Sequence, residues 1–176
     1  ENLIAKGRGT GQDVTWAIDL AGSPAALVIA LLVQDGLIDP AAPITDYWPE
    51  FGTHGKGKLS VGEVLSHQAG VLGVPGGVPS RVLMNSSEYA KILATMPSIW
   101  PLGQNIVGYH AITMGVLMEE LVRRVAGKEL KDVFEERIRK PLVDWGVPVE
   151  VRVGDRREHG LDETVAHGSE SRGLGE

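Results

Sequence analysis

The sequence has no cysteine among its 176 residues. Disulfide bonds and thiolate chemistry are therefore excluded, while the redox compartment stays open. Long apolar runs are also lacking. The longest, residues 25–33, has about half of the ~20 residues that cross a bilayer, so it predicts a buried helix and not a membrane span. The chain begins with Glu1 and has no leader-like pattern, so we expect a processed chain or a piece of a longer one, and its localisation stays open.

Positive charge is in the minority, with 17 Lys and Arg against 23 Asp and Glu and a formal net charge of −6. A nucleic-acid partner is not expected, because binding to a phosphate backbone needs a basic footprint. The five histidines lack the i, i+4 spacing of a metal site, so no metal is expected. Gly7, Gly9 and Gly11 lack the flanking elements of a phosphate loop and predict a plain turn. No cofactor is therefore predicted, and the oligomeric state stays open.

The spacing of apolar and capping residues predicts a mainly helical chain. Ser23 is a suitable N-cap before Pro24, and Ser60 with Glu63 matches a capping box. The predicted helices cover residues 24–34, 60–65, 86–95, 109–126 and 129–137, the last ending before Pro141. Residues 1–153 are interpreted as one partial domain, and the polar, glycine-rich residues 154–176 as a loosely ordered tail.

Several segments follow one another in an order and spacing that are typical of a known family. They are residues 32–39 (LVQDGLID), 43–51 (PITDYWPEF), 59–71 (LSVGEVLSHQAGV), Trp100-Pro101-Leu102-Gly103 before Tyr109, 125–128 (VAGK) and 138–142 (IRKPL). Over about residues 13–145 the chain resembles the β-lactamase-like serine hydrolases, which include class C β-lactamases, D-Ala-D-Ala carboxypeptidases and family VIII esterases. The resemblance implies an α+β fold of the β-lactamase/transpeptidase type, of which this chain covers mostly the helical subdomain.

The resemblance also implies hydrolysis of small esters or amides through an acyl-enzyme, without a cofactor. The family's three motifs are Ser-x-x-Lys at a helix N-terminus, Tyr-x-Asn or a variant, and a Lys/His-x-Gly strand far downstream. A serine hydroxyl is a weak nucleophile until a base takes its proton. Backbone N–H groups then hold the oxyanion that forms at the attacked carbonyl.

The second motif is matched by Tyr109-His110-Ala111. Tyr109 is the candidate general base, and the alternative is that it only caps and packs a core helix. His110 is the candidate substrate-binding residue, with a structural histidine as the equal alternative. Ala111 stands where many members have Asn, which favours an esterase over a β-lactamase. His67 is interpreted as structural, holding the turn after its helix.

The first motif is missing, because no Ser-x-x-Lys occurs in the sequence. Counting back from Gly36 places Asp19 and Gly22 at the serine and lysine positions, whereas counting from upstream places the serine near Gly22. Ser23 is the candidate nucleophile, since the dipole of a helix N-terminus favours developing negative charge. Its partner three residues on is Ala26, which is no base, and the alternative is a plain N-cap.

The third motif is also missing, since His167-Gly168 follows Tyr109 too closely and is assigned to the tail. Two hypotheses of different classes follow. The first is a serine hydrolase, either an esterase or β-lactamase-like. The second is a non-catalytic homologue or fragment that binds a ligand or partner through the former cleft, and a purely structural helical domain is a third idea. The missing Ser-x-x-Lys favours the second for this chain, and the family resemblance favours the first for its lineage.

Overall fold

The computed structural model describes residues 24–147 and 149. Within them, β pairing is confined to an isolated antiparallel bridge between Pro43 and Ser60. The α-helices are α1 (Pro24–Gln34), α2 (Val61–Leu65), α3 (Ser80–Leu83), α4 (Ser86–Thr95), α5 (Thr113–Ala126), α6 (Leu130–Phe134) and α7 (Lys140–Asp144). Two 3-10 segments, Ile44–Asp46 and Pro49–Lys58, precede α2, and a π-helical turn, Glu135–Arg139, joins α6 to α7. The described part is thus mostly helical, as expected for the helical subdomain.

The core lies where α5 meets α1 and α4. On α5 the side chains of Met114, Leu117 and Leu121 are buried and pack in this core. Helix α1 packs against α5 and α6, and α4 packs against α5 and the Pro49–Lys58 segment. None of the helices in residues 24–147 combines the length and the apolar character that crossing a membrane requires.

Two predicted helix boundaries were wrong. Helix α5 begins at Thr113 and not at residue 109, because the N–H groups of Gly108 and His110 donate to His67 in a distant turn. The last helix does not end before Pro141, which lies in the first turn of α7. The preceding π-helical turn changes the hydrogen-bond register, so a proline that lacks an N–H is accommodated there without a break.

The capping box at the start of α2 has the predicted geometry. The Glu63 N–H donates to Ser60 Oγ at 3.1 Å, and the Ser60 N–H donates to Glu63 Oε2 at 2.8 Å. Helix α2 has only five residues, so its direction depends strongly on these two bonds. The direction of α2 in turn sets where the following residues, 66–71, begin.

A buried lysine joins the Pro49–Lys58 segment to the end of α4. Lys56 has 0 % of its surface exposed, and its Nζ donates to the Thr53 carbonyl, to Thr53 Oγ1 and to the Met96 carbonyl. The Nζ also lies 5.2 Å from the centroid of the Phe51 ring. Burial lowers the pKa of Lys56 to about 8, so the ammonium form still dominates at pH 7.

A second polar anchor joins α5 to the same segment. Glu120, which is 2 % exposed, accepts hydrogen bonds from Arg123 and Arg124. Arg124 also pairs with Glu50 at 2.8 Å and lies 5.3 Å from the centroid of the Trp48 ring. The buried carboxylate is therefore paired, as a buried charge requires.

Loss of the capping box should destabilise the fold measurably. Ser60→Ala is expected to lower the free energy of unfolding by about 1 kcal/mol, because the Glu63 N–H loses its acceptor. Urea denaturation followed by circular dichroism measures the change. Ser80→Ala is the control, since α3 has no side-chain cap bond, and it should stay within about 0.5 kcal/mol of the parent. Equal losses in the two variants would contradict the role given to Ser60.

Replacement of the buried lysine should cost more. Lys56→Met keeps most of the buried volume but leaves the Thr53 and Met96 carbonyls without their donor, and we expect a loss of about 2 kcal/mol at pH 7. Lys58→Met is the matched control, because Lys58 is exposed two residues away and should change stability by less than about 0.5 kcal/mol. A Lys56→Met variant as stable as Lys58→Met would show that these bonds contribute nothing.

Candidate active site

Tyr109 lies at the surface, on the irregular segment that leads into α5. Its side chain is 76 % exposed, and its ring centroid is 5.2 Å from that of His67. The Tyr109 side chain therefore lies outside the core, and its role as general base stays a prediction. The residue after it, His110, is 1 % exposed, so the chain passes from surface to interior between the two.

The turn of residues 66–71, which follows α2, is held between two other segments. On one side the Ile99 N–H donates to the Gly70 carbonyl at 3.0 Å, and Trp100 Nε1 donates to the Gln68 carbonyl at 3.1 Å. On the other side the Gly108 N–H donates to the His67 carbonyl at 3.2 Å. The turn thus fixes the segment before Tyr109 relative to residues 98–100.

The close approach of these segments depends on Gly70. Its φ is +67°, and a Cβ there would lie 2.0 Å from Ser98 Oγ and 3.1 Å from the Trp100 ring. A positive φ and this lack of space both require glycine. His67 has a φ of +65°, which is uncommon for a residue with a side chain.

His110 bonds to this turn through its ring and its backbone. Nε2 accepts from the Val71 N–H at 3.1 Å, and Nδ1 lies 2.6 Å from the Gly108 carbonyl oxygen. The backbone N–H of His110 donates to His67 Nδ1 at 3.1 Å. Burial lowers the pKa of His110 to about 4; the hydrogen bond to Gly108 opposes the shift, and repulsion from the neighbouring His67 ring, when that ring is protonated, adds to it. The His110 ring is thus buried against the turn of residues 66–71, and the substrate contact expected of it stays a prediction.

Trp100 and Thr113 complete the support of the site, and the sequence analysis did not single out either of them for this role. The Trp100 ring meets the His110 ring edge-on, with centroids 6.1 Å apart, and a Cβ on Gly108 would lie 2.6 Å from it. Thr113 Oγ1 donates to the Val71 carbonyl at 2.7 Å. The available signal was the Trp-Pro-x-Gly sequence before Tyr109, which marks a turn but not its contact with His110.

A shallow apolar concavity of about 330 Å³ begins one residue beyond this turn. It is lined by Leu72, Gly73, Val74, Pro75, Met96, Pro97 and Ile99. Val71, which precedes the lining residue Leu72, donates a hydrogen bond from its N–H to His110. This bond links the wall of the concavity to the segment that carries Tyr109.

The positions proposed for the first and third motifs lie outside the described residues. These are Ser23 with Asp19 and Gly22, and His167 in the C-terminal segment. Ala26, three residues after Ser23, is 4 % exposed and belongs to the core. In residues 24–147, His, Asp and Glu side chains form no group of three that suits a metal ion.

The chain matches a family model and is similar to known proteins. The sequence model of the β-lactamase family, described as "Beta-lactamase", matches residues 23–175. The chain is 40% identical over 117 residues to the esterase/beta-lactamase LipL of Mycobacterium tuberculosis, covering 66% of this chain and 27% of LipL.

Solved structures agree as well. EstA from Arthrobacter nitroguajacolicus Rue61a shares 48% identity at a TM-score of 0.65, over 69% of this chain and 32% of EstA. A family VIII carboxylesterase shares 36% identity at a TM-score of 0.66, over 70% of this chain and 34% of that one. This chain therefore spans about a quarter to a third of the length of these relatives. The match to the family model, together with these similarities, confirms the resemblance read from the sequence: the chain belongs to the β-lactamase family.

Proposed function

We propose that this chain carries the tyrosine-bearing helical part of a serine hydrolase that acts on small esters or amides. The observation that carries the proposal is the exposed Tyr109 side chain on a backbone segment that is hydrogen-bonded to the turn of residues 66–71. An exposed phenol on a fixed backbone suits a group that must meet a reacting atom repeatedly in one geometry.

In the proposed reaction Tyr109 is the general base and Ser23 is the nucleophile. The serine oxygen attacks the substrate carbonyl as its proton passes to the base, and the leaving group departs with a proton to give an acyl-enzyme. Water then attacks the acyl-enzyme, which releases the acid and restores the serine. Ser23 directly precedes α1, and a helix N-terminus stabilises the negative charge that develops there.

An ester substrate with a small apolar group fits the surroundings best. The concavity of about 330 Å³ is lined almost wholly by aliphatic side chains, which suits a short acyl or alkyl group. Ala111 replaces the amide side chain that many family members place two residues after the tyrosine. Two relatives are themselves named as an esterase/beta-lactamase and a family VIII carboxylesterase.

A second candidate, a non-catalytic domain that binds a ligand or partner, is favoured by one observation. The chain contains no Ser-x-x-Lys, and the position three residues after Ser23 holds Ala26, whose side chain is buried. A serine without a neighbouring lysine depends on Tyr109 alone for activation.

Labelling with a fluorophosphonate tests the catalytic proposal. We expect one phosphonyl group on Ser23, located by mass spectrometry and absent in Ser23→Ala. Tyr109→Phe should slow labelling by about 10²- to 10⁴-fold, because the base is lost while the ring remains. Tyr47→Phe is the control: the Tyr47 hydroxyl accepts from the Asp39 N–H at 2.8 Å, away from the site, and its loss should leave the rate unchanged.

The absence of any adduct, with no hydrolysis of p-nitrophenyl esters by the folded chain, would overturn the catalytic proposal. A saturable shift of the Tyr109 NMR signals on addition of an ester, without turnover, would then support the binding role. An adduct that forms equally fast in Tyr109→Phe would remove Tyr109 from the mechanism but keep Ser23.

A further inference from the structure

Two histidine rings beneath Tyr109 each accept a hydrogen bond from a backbone N–H. His67 Nδ1 accepts from the His110 N–H, and His110 Nε2 accepts from the Val71 N–H, both at 3.1 Å. Both side chains are buried, at 5 % and 1 % exposure. Their ring centroids are 5.4 Å apart, in a stacked arrangement.

We propose that His67 and His110 are positioning residues that hold Tyr109 in place only while both imidazoles are neutral and fixed in opposite tautomers. We refer to these two residues as the histidine pair. The relevance of the histidine pair to catalysis rests on the proposed role of Tyr109. The tautomers of the two rings and their hydrogen bonds to the backbone do not depend on that role.

The tautomers follow from the hydrogen bonds. A ring nitrogen that accepts from an N–H carries no proton, so the proton of a neutral imidazole lies on the other nitrogen. His110 therefore carries its proton on Nδ1, where it donates to the Gly108 carbonyl at 2.6 Å. His67 carries its proton on Nε2, because Nδ1 accepts from the His110 N–H.

Protonation of either ring is incompatible with this arrangement. A second proton on His110 would lie at Nε2, facing the Val71 N–H, and one on His67 would lie at Nδ1, facing the His110 N–H. Each ring would then lose an acceptor and gain a repulsive contact between two donors. The two rings also face each other, so two imidazolium charges would repel one another.

Among the described residues, the aromatic rings that contact His110 do not balance a positive charge. They are those of His67 and Trp100, and neither side chain is an anion at neutral pH. In agreement, burial lowers the pKa of His110 from 6.5 to about 4. The unfolded chain therefore binds this proton before the folded chain does. The stabilisation is complete above about pH 6.5 and is lost as the pH falls towards 4.

The link to Tyr109 is direct in the chain and in space. The His110 N–H that donates to His67 belongs to the peptide bond between Tyr109 and His110, and the Tyr109 ring lies 5.2 Å from the His67 ring. Loss of this hydrogen bond frees the peptide group that follows Tyr109. The contact between the Tyr109 and His67 rings, which orients the phenol, is then lost as well.

NMR spectroscopy of the ¹⁵N-labelled 176-residue chain tests the proposal without any need for activity. Long-range ¹H–¹⁵N spectra at pH 7 should show the proton on Nδ1 in His110 and on Nε2 in His67. On acidification, His110 should titrate with a midpoint near pH 4, and the Tyr109 ring signals should shift with whichever of the two histidine rings takes up a proton first. The opposite tautomer in either ring, a charged ring at pH 7, or Tyr109 signals that follow neither ring would overturn the proposal.

Two substitutions of His67 separate the acceptor from simple packing. Asn keeps an acceptor oxygen and tolerates a positive φ, whereas Gly tolerates the φ but offers no acceptor. We expect hydrogen exchange of the His110 amide to be at least tenfold faster in His67→Gly than in His67→Asn, with the latter close to the parent. Equal exchange in the two variants would overturn the role of Nδ1.

His110→Gln is the corresponding variant for the second ring, since its side-chain oxygen can accept from the Val71 N–H. It should keep the Val71 amide protected and leave the Tyr109 signals with only the acid transition that follows His67. Rapid exchange of the Val71 amide in this variant, or a Tyr109 transition that does not coincide with that of His67, would overturn the proposal. These results are independent of phosphonate labelling: no adduct with the predicted tautomers would refute only the proposed function, and an adduct with the wrong tautomers would refute only the histidine pair.

Discussion

The hydrogen bonds of the turn at residues 66–71 are the constraint on which the rest of the candidate site depends. The turn lies between residues 98–100 and 108–110, which belong to no regular helix or strand. Their backbone groups need partners, and the turn supplies them through the Gly70 and His67 carbonyls. Because Gly70 has no side chain, Ser98 and Trp100 can come close enough to form these bonds. Tyr109 is therefore positioned by contacts between residues about forty positions apart in the chain. Helix α5 begins a few residues C-terminal to Tyr109.

The sequence predicted the elements whose causes are local. Helices α1 and α4 and the capping box of α2 agree with expectation, because N-caps and apolar spacing act within one or two turns. The start of α5 was placed too early, since the bonds that hold Tyr109 and His110 outside the helix come from residues 67–71. The burial of His110 has the same non-local origin, because its ring and its N–H are bonded to residues 67 and 71. Ser23 and residues 150–176 lie outside the described residues, so the candidate nucleophile and the proposed tail stay predictions.

The fold of this chain and the chemistry of its family are separable, and the distribution of polar groups explains why. The anchors inside the described part are Lys56 and Glu120, which bind neighbouring helices and segments, and no buried side-chain nitrogen or oxygen there lacks a partner. None of these anchors is a residue of the three catalytic motifs. Within residues 24–147 the core and the Tyr109 segment thus form without a Ser-x-x-Lys motif, and every buried polar side chain there has a partner. Membership of the family is thus compatible with either function proposed for the chain.

The choice of histidine beneath Tyr109 can be understood from what a buried acceptor costs. The Val71 and His110 N–H groups both need an acceptor in a place with little access to water. A carboxylate would accept more strongly, but its burial without a cation costs several kcal/mol. A neutral imidazole accepts a hydrogen bond through one nitrogen and can donate through the other. His110 donates in this way to the Gly108 carbonyl. The flat rings also pack against aromatic neighbours, His67 against Tyr109 and His110 against Trp100. Because each ring must accept a hydrogen bond, the arrangement requires both imidazoles to be neutral. The rigidity of the Tyr109 segment and its sensitivity to acid therefore have one physical origin.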